Sequence, residues 1–262
     1  MSGGINRSRF IQSTAANRPG QEYYMTPERF ERLKQTLNRR QPDLTVMTDE
    51  VHKAHNLSAI IRTCDAFAVP KVHAVWPYDD YRTFRGRAMG SQNWVDVETY
   101  RNTEDAIAKL QAEGFKVCVA NFSERAIDFR DYDFTQPTAL MMGNEKHGVS
   151  QVAADMADEH LTIPMLGMVQ SFNVSVAAAL LLSEAERQRS LAGLFNERRI
   201  SDKDYERLLF EWSHPMYTKI CKDMGWEYPE TREDGELADP QGFGARVNAA
   251  KASGELISVR GR

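Results

Sequence analysis

The chain reads as an α/β protein built on a mostly parallel sheet with helices on both faces. Three observations predict this. Short apolar runs alternate with segments of helical periodicity through the middle of the chain, the pattern of strands joined by crossover helices. The polar clusters fall where an apolar run ends and a helical segment begins, which is the edge where such sheets bind ligands. The chain has 262 residues with 42% apolar side chains, enough for one substantial core.

Residues 1–24 hold Gly3-Gly4, scattered Ser and no period, and are expected to form a flexible tail. Thr26-Pro27-Glu28-Arg29 starts a helix, with Thr as N-cap, Pro in the first turn and an early acid. That basic helix, within segment 25–43, runs to about Asn38 with Phe30, Leu33 and Leu37 on one face. Pro42 ends the connection. Strands are expected at residues 44–47, 71–76, 95–99, 115–120, 138–142 and 161–163. Helices are expected at 57–67, 103–113, 150–157 and 173–191. Together, residues 44–195 make the central domain. Two helices follow near 202–212 and 215–224, within 196–228. Residues 229–262 carry Gly, Asp and Ser with weak periodicity and are expected to be a poorly ordered tail.

Cys64, Cys118 and Cys221 lie far apart without CxxC spacing, which argues against a disulfide framework or zinc site and for a reducing compartment. No apolar run is long enough to span a bilayer, and the N-terminus is polar. A soluble, cytoplasmic protein is expected. The net charge of −4 does not suggest a nucleic-acid binder as a whole. Its distribution is uneven: the first 45 residues hold a cluster of Arg, whereas residues 223–239 hold seven acids against Arg232. Two solvated surfaces are the plain reading of that asymmetry.

Three constellations could carry chemistry. His52-Lys53-Ala54-His55-Asn56-Leu57-Ser58-Ala59-Ile60-Ile61-Arg62 follows a strand and opens a helix. Asn56 would cap that helix and Arg62 lie on its surface, or the two could converge. Six residues place them about 240° apart on a straight helix, so convergence requires Asn56 to precede the helix proper. Met142-Gly143-Asn144-Glu145-Lys146-His147-Gly148 follows an apolar strand and is either a turn or a ligand loop, with Glu145 as hydrogen-bond acceptor. Gln170-Ser171-Phe172-Asn173 enters an Ala-rich helix, where Asn173 would be its N-cap. No GxGxxG, Walker or GxSxG pattern is present, and no HExxH-like spacing supports a metal.

Taken together, NLSAIIR at 56–62, MGNEKHGVS at 142–150 and IPMLGMVQSFNVSVAAALLL at 163–182 resemble the three ordered motifs of the SPOUT (SpoU-type) RNA 2'-O-methyltransferases. Flanking RRQPDLTV, VHKAHN, AVWP, DFRDYDFTQPT and EAERQR extend the likeness from about Thr26 to Trp226, and are most similar to members that act on guanosine 18 in the tRNA D loop. The resemblance implies a deep C-terminal trefoil knot, S-adenosylmethionine as cofactor, tRNA as partner, and a homodimer whose active sites each draw on both subunits. No membrane and no metal are expected, because the chain lacks a spanning apolar run and metal-ligand spacing.

By match to the motifs, Arg62 is the catalytic arginine, with Asn56, Glu145, Ser171 and Asn173 shaping the site. Ala120, Gly143, Ile163, Met168 and Phe172 would contact the cofactor. Ala120 stands where relatives often carry Thr, and Phe172 where Leu is usual. The basic helix would use Arg29, Arg32, Arg39 and Arg40 on RNA phosphates, with Arg82, Arg85 and Arg87 adding to that surface. Arginine is a poor base because a guanidinium pKa exceeds about 12. Arg62 would therefore either lose its proton beside a substrate phosphate and cationic neighbours, or stay charged and stabilise the developing alkoxide. Three other readings remain: a related enzyme for ribosomal RNA, a non-catalytic RNA-binding paralogue, and a nucleotide-binding dehydrogenase. The paralogue is disfavoured because Asn56, Arg62 and Asn173 are all present, and the dehydrogenase because the glycine fingerprint is missing.

Overall fold

The computed structural model describes residues 25–51, 53–77 and 93–256. The expected N-terminal tail, Arg82, Arg85 and Arg87 lie outside the described residues.

Helix α1 (Pro27–Asn38) begins as the sequence dictates. Thr26 accepts the Arg29 amide at 3.2 Å, Pro27 sits in the first turn, and Phe30, Leu33 and Leu37 are buried on one face. The central domain then alternates β1 (Leu44–Asp49), α2 (Ala54–Ala66), β2 (Lys71–Val75), β3 (Asp96–Tyr100), α3 (Thr103–Ala112), β4 (Lys116–Ala120), β5 (Ile127–Asp128), β6 (Thr138–Met142), α4 (Gln151–Met156), β7 (Glu159–Thr162) and α5 (Val174–Leu191). The strands form one sheet in the order β3-β2-β1-β6-β4-β7-β5, and every pairing is parallel. Strands β1 and β6 are buried at every position, as expected for central strands covered on both faces.

Alternation divides the core in two. Leu44, Val46, Leu140 and Met142 face α2 and α5, where Leu57, Ile60, Ile61, Ala178, Leu181 and Leu182 fill the layer. Met47, Ala139, Met141, Val117 and Val119 face α3 and α4, packing on Ala106, Ile107, Leu110 and Ala153. Because all strands run the same way, the loops after β1, β4, β6 and β7 emerge on one rim.

Helices α6 (Asp202–Ser213), α7 (Pro215–Met224) and α8 (Pro240–Ala252) follow the central domain. Helix α6 packs on α1 through Trp212, Tyr205, Leu208 and Leu209. The expectation of a poorly ordered tail from 229 is corrected. Asp239 caps α8 by accepting the Gly242 amide, and Phe243, Val247 and Ala250 bury against Phe210, Ile220, Cys221 and Leu237. Those apolar positions do follow helical spacing, but Gly242 and Gly244 dilute the pattern. Residues 257–262 lie outside the described residues.

Arg40 is also corrected as a phosphate contact. It is 1% exposed and donates to the Val69 carbonyl, to Asp65 Oδ1 at 2.7 Å and to the Trp94 carbonyl. Its guanidinium lies over the Trp212 ring. Helix α1 ends at Asn38, and beyond Arg39 the buried Arg40 and Gln41 tie the terminal helices to the central domain. Arg189 does the same from α5, donating to Asp43, Gln41 and the carbonyls of Phe134 and Gln136.

Candidate active site

Three loops meet on the rim. The turn after β1 leads directly into α2, and Asn56 lies inside that helix as its third residue. Lys53 occupies the N-cap position, so the reading of Asn56 as the cap does not hold. Asn56 is 2% exposed, and both heteroatoms of its side chain make a hydrogen bond. Its Nδ2 donates to Glu145 Oε1 at 2.6 Å, and its Oδ1 accepts from Asn173 Nδ2 at 3.2 Å. The Lys53 amide also donates to Glu145 Oε1, at 3.3 Å.

Glu145 reaches this position because its loop is folded tightly. Asn144 and Gly148 exchange backbone hydrogen bonds at 2.8 and 2.9 Å. Gly148 takes a positive φ of 71°. A Cβ on Gly143 would stand 2.3 Å from the Gly148 carbonyl carbon, so glycine is required there by close backbone approach. Burial pushes the Glu145 carboxyl upward, but hydrogen bonds from Asn56 and the Lys53 amide outweigh it and leave the group below its ordinary value. Glu145 is therefore an anion at neutral pH, held by two donors on one oxygen.

Asn173 performs two tasks. Its Oδ1 caps α5 by accepting the Ser175 amide at 2.9 Å and also accepts the Ser175 hydroxyl. Its Nδ2 is left to face Asn56. The result is a continuous chain, Asn173 to Asn56 to Glu145, drawing one residue from each sequence constellation.

Other expected residues fall around this chain. Ala120 ends β4 and is half-buried, Gly143 is buried after β6, and Ile163 is half-buried after β7. These strands are neighbours, so their ends share one stretch of rim. Ser171 is exposed, as are Met168 (99%) and Phe172 (40%) in the loop before α5. Because Asn56 is inside the helix, the six-residue separation turns Arg62 to an exposed face of α2. On α1, Arg32 is exposed and Arg29 is half-buried, and Arg39, just beyond the helix, is exposed. Sequence reasoning missed Asp49, which accepts the Ser150 amide at 2.8 Å and the Thr103 hydroxyl at 2.6 Å. An acid at a strand end before two polar helix starts is the signal that could have found it.

An all-parallel sheet with an amide-and-carboxylate cluster on its carboxyl rim defines a ligand-binding α/β protein. The chain belongs to the SpoU rRNA methylase family: residues 43–183 match the model of that family, and residues 187–240 match that of the SpoU rRNA methylase C-terminal region. It is 46% identical over 228 residues to the tRNA (guanosine(18)-2'-O)-methyltransferase of Escherichia coli K12, covering 86% of this chain and 100% of that protein. The Thermus thermophilus protein of the same name is 48% identical over 187 residues, covering 71% of this chain and 96% of the relative. Among solved structures, the Aquifex aeolicus TrmH/SpoU tRNA modifying enzyme superposes with a TM-score of 0.66 at 36% identity, covering 72% of this chain and 96% of that one. An AdoMet-bound rRNA methyltransferase from Sinorhizobium meliloti gives a TM-score of 0.52 at 30% identity, covering 59% of each chain.

No helix among the described residues is long and apolar enough to cross a membrane. Among the same residues, no group of three or more His, Cys, Asp or Glu is placed to hold a metal ion.

Proposed function

We propose that this chain transfers a methyl group from S-adenosylmethionine to the ribose 2'-hydroxyl of guanosine 18 in the tRNA D loop. The observation that carries the reading is the Asn173–Asn56–Glu145 chain, which joins the three motifs at one point on the rim. The identity to the Escherichia coli enzyme over that protein's whole length favours tRNA over ribosomal RNA as substrate.

The rim fits the cofactor. The strand ends at Ala120, Gly143 and Ile163 belong to neighbouring strands, and Met168 and Phe172 expose apolar surface in the loop before α5. Bound there, S-adenosylmethionine supplies a methyl group already activated on a sulfonium. What remains for the protein is alignment of the 2'-hydroxyl and management of its proton. Glu145 contributes a fixed negative charge, Asn56 holds that carboxylate, and Asn173 fixes Asn56 to the start of α5. Ser171 stands in the loop leading into that cap. Arg62 serves the 2'-oxygen, as base or as cation beside the developing alkoxide.

In this reading that role is exercised at the junction with a second copy of the chain. Arg62 is exposed on α2, six residues beyond Asn56, and Leu166, Met168, Val169, Phe172, Val176 and Leu180 expose apolar side chains along the loop and first turns of α5. Such a run is characteristic of an interface. A homodimer covers it and lets each site draw on both subunits. The placement of β6 between β1 and β4, with β7 beyond β4, supports a deep trefoil knot in this region. Arg29, Arg32 and Arg39 on and just beyond α1 engage RNA phosphates, which position the substrate without reading its sequence. The protein works in the cytoplasm, where tRNA is found.

The test is methylation of unmodified tRNA with labelled S-adenosylmethionine, followed by mass spectrometry of D-loop fragments. Guanosine 18 should carry the label. Label confined to ribosomal RNA would move the assignment to that substrate. Arg62→Ala should abolish transfer while cofactor still binds, and near wild-type turnover in that variant would remove Arg62 from the chemistry.

A further inference from the structure

The loop carrying Glu145 is held by more than its own backbone. Asn144 Nδ2 donates to the Glu50 carbonyl at 2.9 Å, across to the turn that follows β1. Asn144 Oδ1 accepts the Lys146 amide at 2.8 Å, which closes the turn locally. Glu50 itself has φ of 52°, a left-handed conformation that a residue with a Cβ adopts only when its surroundings hold it there. Asp49, immediately before it, takes the Ser150 amide at the far end of the same loop. The Lys53 amide, three residues beyond Glu50, donates to Glu145 Oε1.

We propose that Asn144 is a positioning residue for the reaction: its amide ties the Gly143–Gly148 loop to the strained Glu50 turn and so holds Glu145 against Asn56 and the Lys53 amide. The inference rests on the methyl-transfer reading of this site and names a residue that acts through another. Asn144 splits its side chain between two purposes. The oxygen shapes the loop and the nitrogen fixes the loop's place relative to α2. Without the second bond the loop keeps its fold but is free to shift against α2, and a small displacement of a positioning group is enough to slow an aligned reaction.

Asn144→Ser separates the two purposes. A serine hydroxyl still accepts the Lys146 amide, is uncharged, and does not extend to the Glu50 carbonyl. The expected result is a fall of about tenfold in kcat with the Kd for S-adenosylmethionine unchanged, the size of one lost hydrogen bond. Exchange of the Lys53 amide with solvent should quicken, while Lys146 stays protected. In a Glu145→Ala background the same substitution should add no further loss of rate. An unchanged kcat, an unchanged Lys53 exchange rate, or an equal loss in the Glu145→Ala background each overturns the proposal, the last because it would mean general weakening of the fold. A wild-type chain that methylates no RNA overturns the functional reading instead, and Lys53 exchange still decides whether the tether exists.

Discussion

Asn56→Ala tests the centre of the site most directly. The side chain makes two hydrogen bonds and both are lost. The bond to Glu145 is 2.6 Å long and its acceptor is ionised. Bonds of that kind contribute about 1.5–3 kcal/mol. The bond from Asn173 is 3.2 Å long between neutral amides and belongs at the low end of about 0.5–1.5 kcal/mol. Together they amount to about 3 kcal/mol, or roughly a hundredfold in rate if the arrangement is needed in the transition state. Single-turnover transfer of labelled methyl to tRNA, with cofactor saturating, reads this directly. Urea unfolding of the same variant separates lost alignment from lost stability. Asn56→Asp should be at least as damaging at neutral pH, since it sets a second carboxylate against Glu145 and one of the pair must take up a proton. A folded Asn56→Ala protein turning over within about threefold of wild type would refute the argument, because a bond between charged and neutral partners is not that cheap to lose.

Other expectations follow from the same structure. Arg189 is 0% exposed and holds the side chains of Asp43 and Gln41 and three backbone carbonyls, so Arg189→Met should cost about 3–5 kcal/mol in urea unfolding. A cost below about 1 kcal/mol would show that Arg199, which also reaches Asp43, carries the junction by itself. Arg32→Ala and Arg39→Ala should each flatten the salt dependence of tRNA binding by about 0.7–0.9 of a unit in the log–log slope, whereas Arg40→Met should lower stability and leave that slope alone. His73 is buried against Tyr100, and burial followed by repulsion from Lys71 pulls its pKa down to about 4. Because the unfolded chain then binds the proton more tightly, stability from this group is complete above about pH 6.5 and is lost as pH falls toward 4. Glu98, Asp96, Lys109 and Tyr100 also face it. His73→Gln should flatten that limb of the pH–stability curve, and an unaltered limb would assign it to carboxylates.

The architecture was largely legible because each element carries a local signal. Thr26 is the expected cap, its hydroxyl accepting the Arg29 amide, and β1 and β6 are short apolar runs because both of their faces are covered. The second strand after α3 escaped notice, since Ile127–Asp128 is two residues long and has no alternation to read. Helix α8 escaped because two glycines interrupt its apolar positions. Arg40 was misplaced for a different reason. Charge in a basic segment points to solvent on average, and only the packing of Trp94, Trp212 and Asp65 around it shows that this one turns inward.

The site divides in the same way. Residue type and spacing offered Asn56, Glu145 and Asn173 only as candidates, each with an ordinary reading as cap or turn, and the likeness to the three family motifs gave them roles at the site. That Asn56 lies inside its helix, that one carboxylate oxygen takes both donors, and that Asn144 anchors the loop are decided by contacts between residues some ninety positions apart. No local pattern encodes such distances. They exist only once parallel strands bring β1 and β6 side by side and deliver their following loops to the same rim.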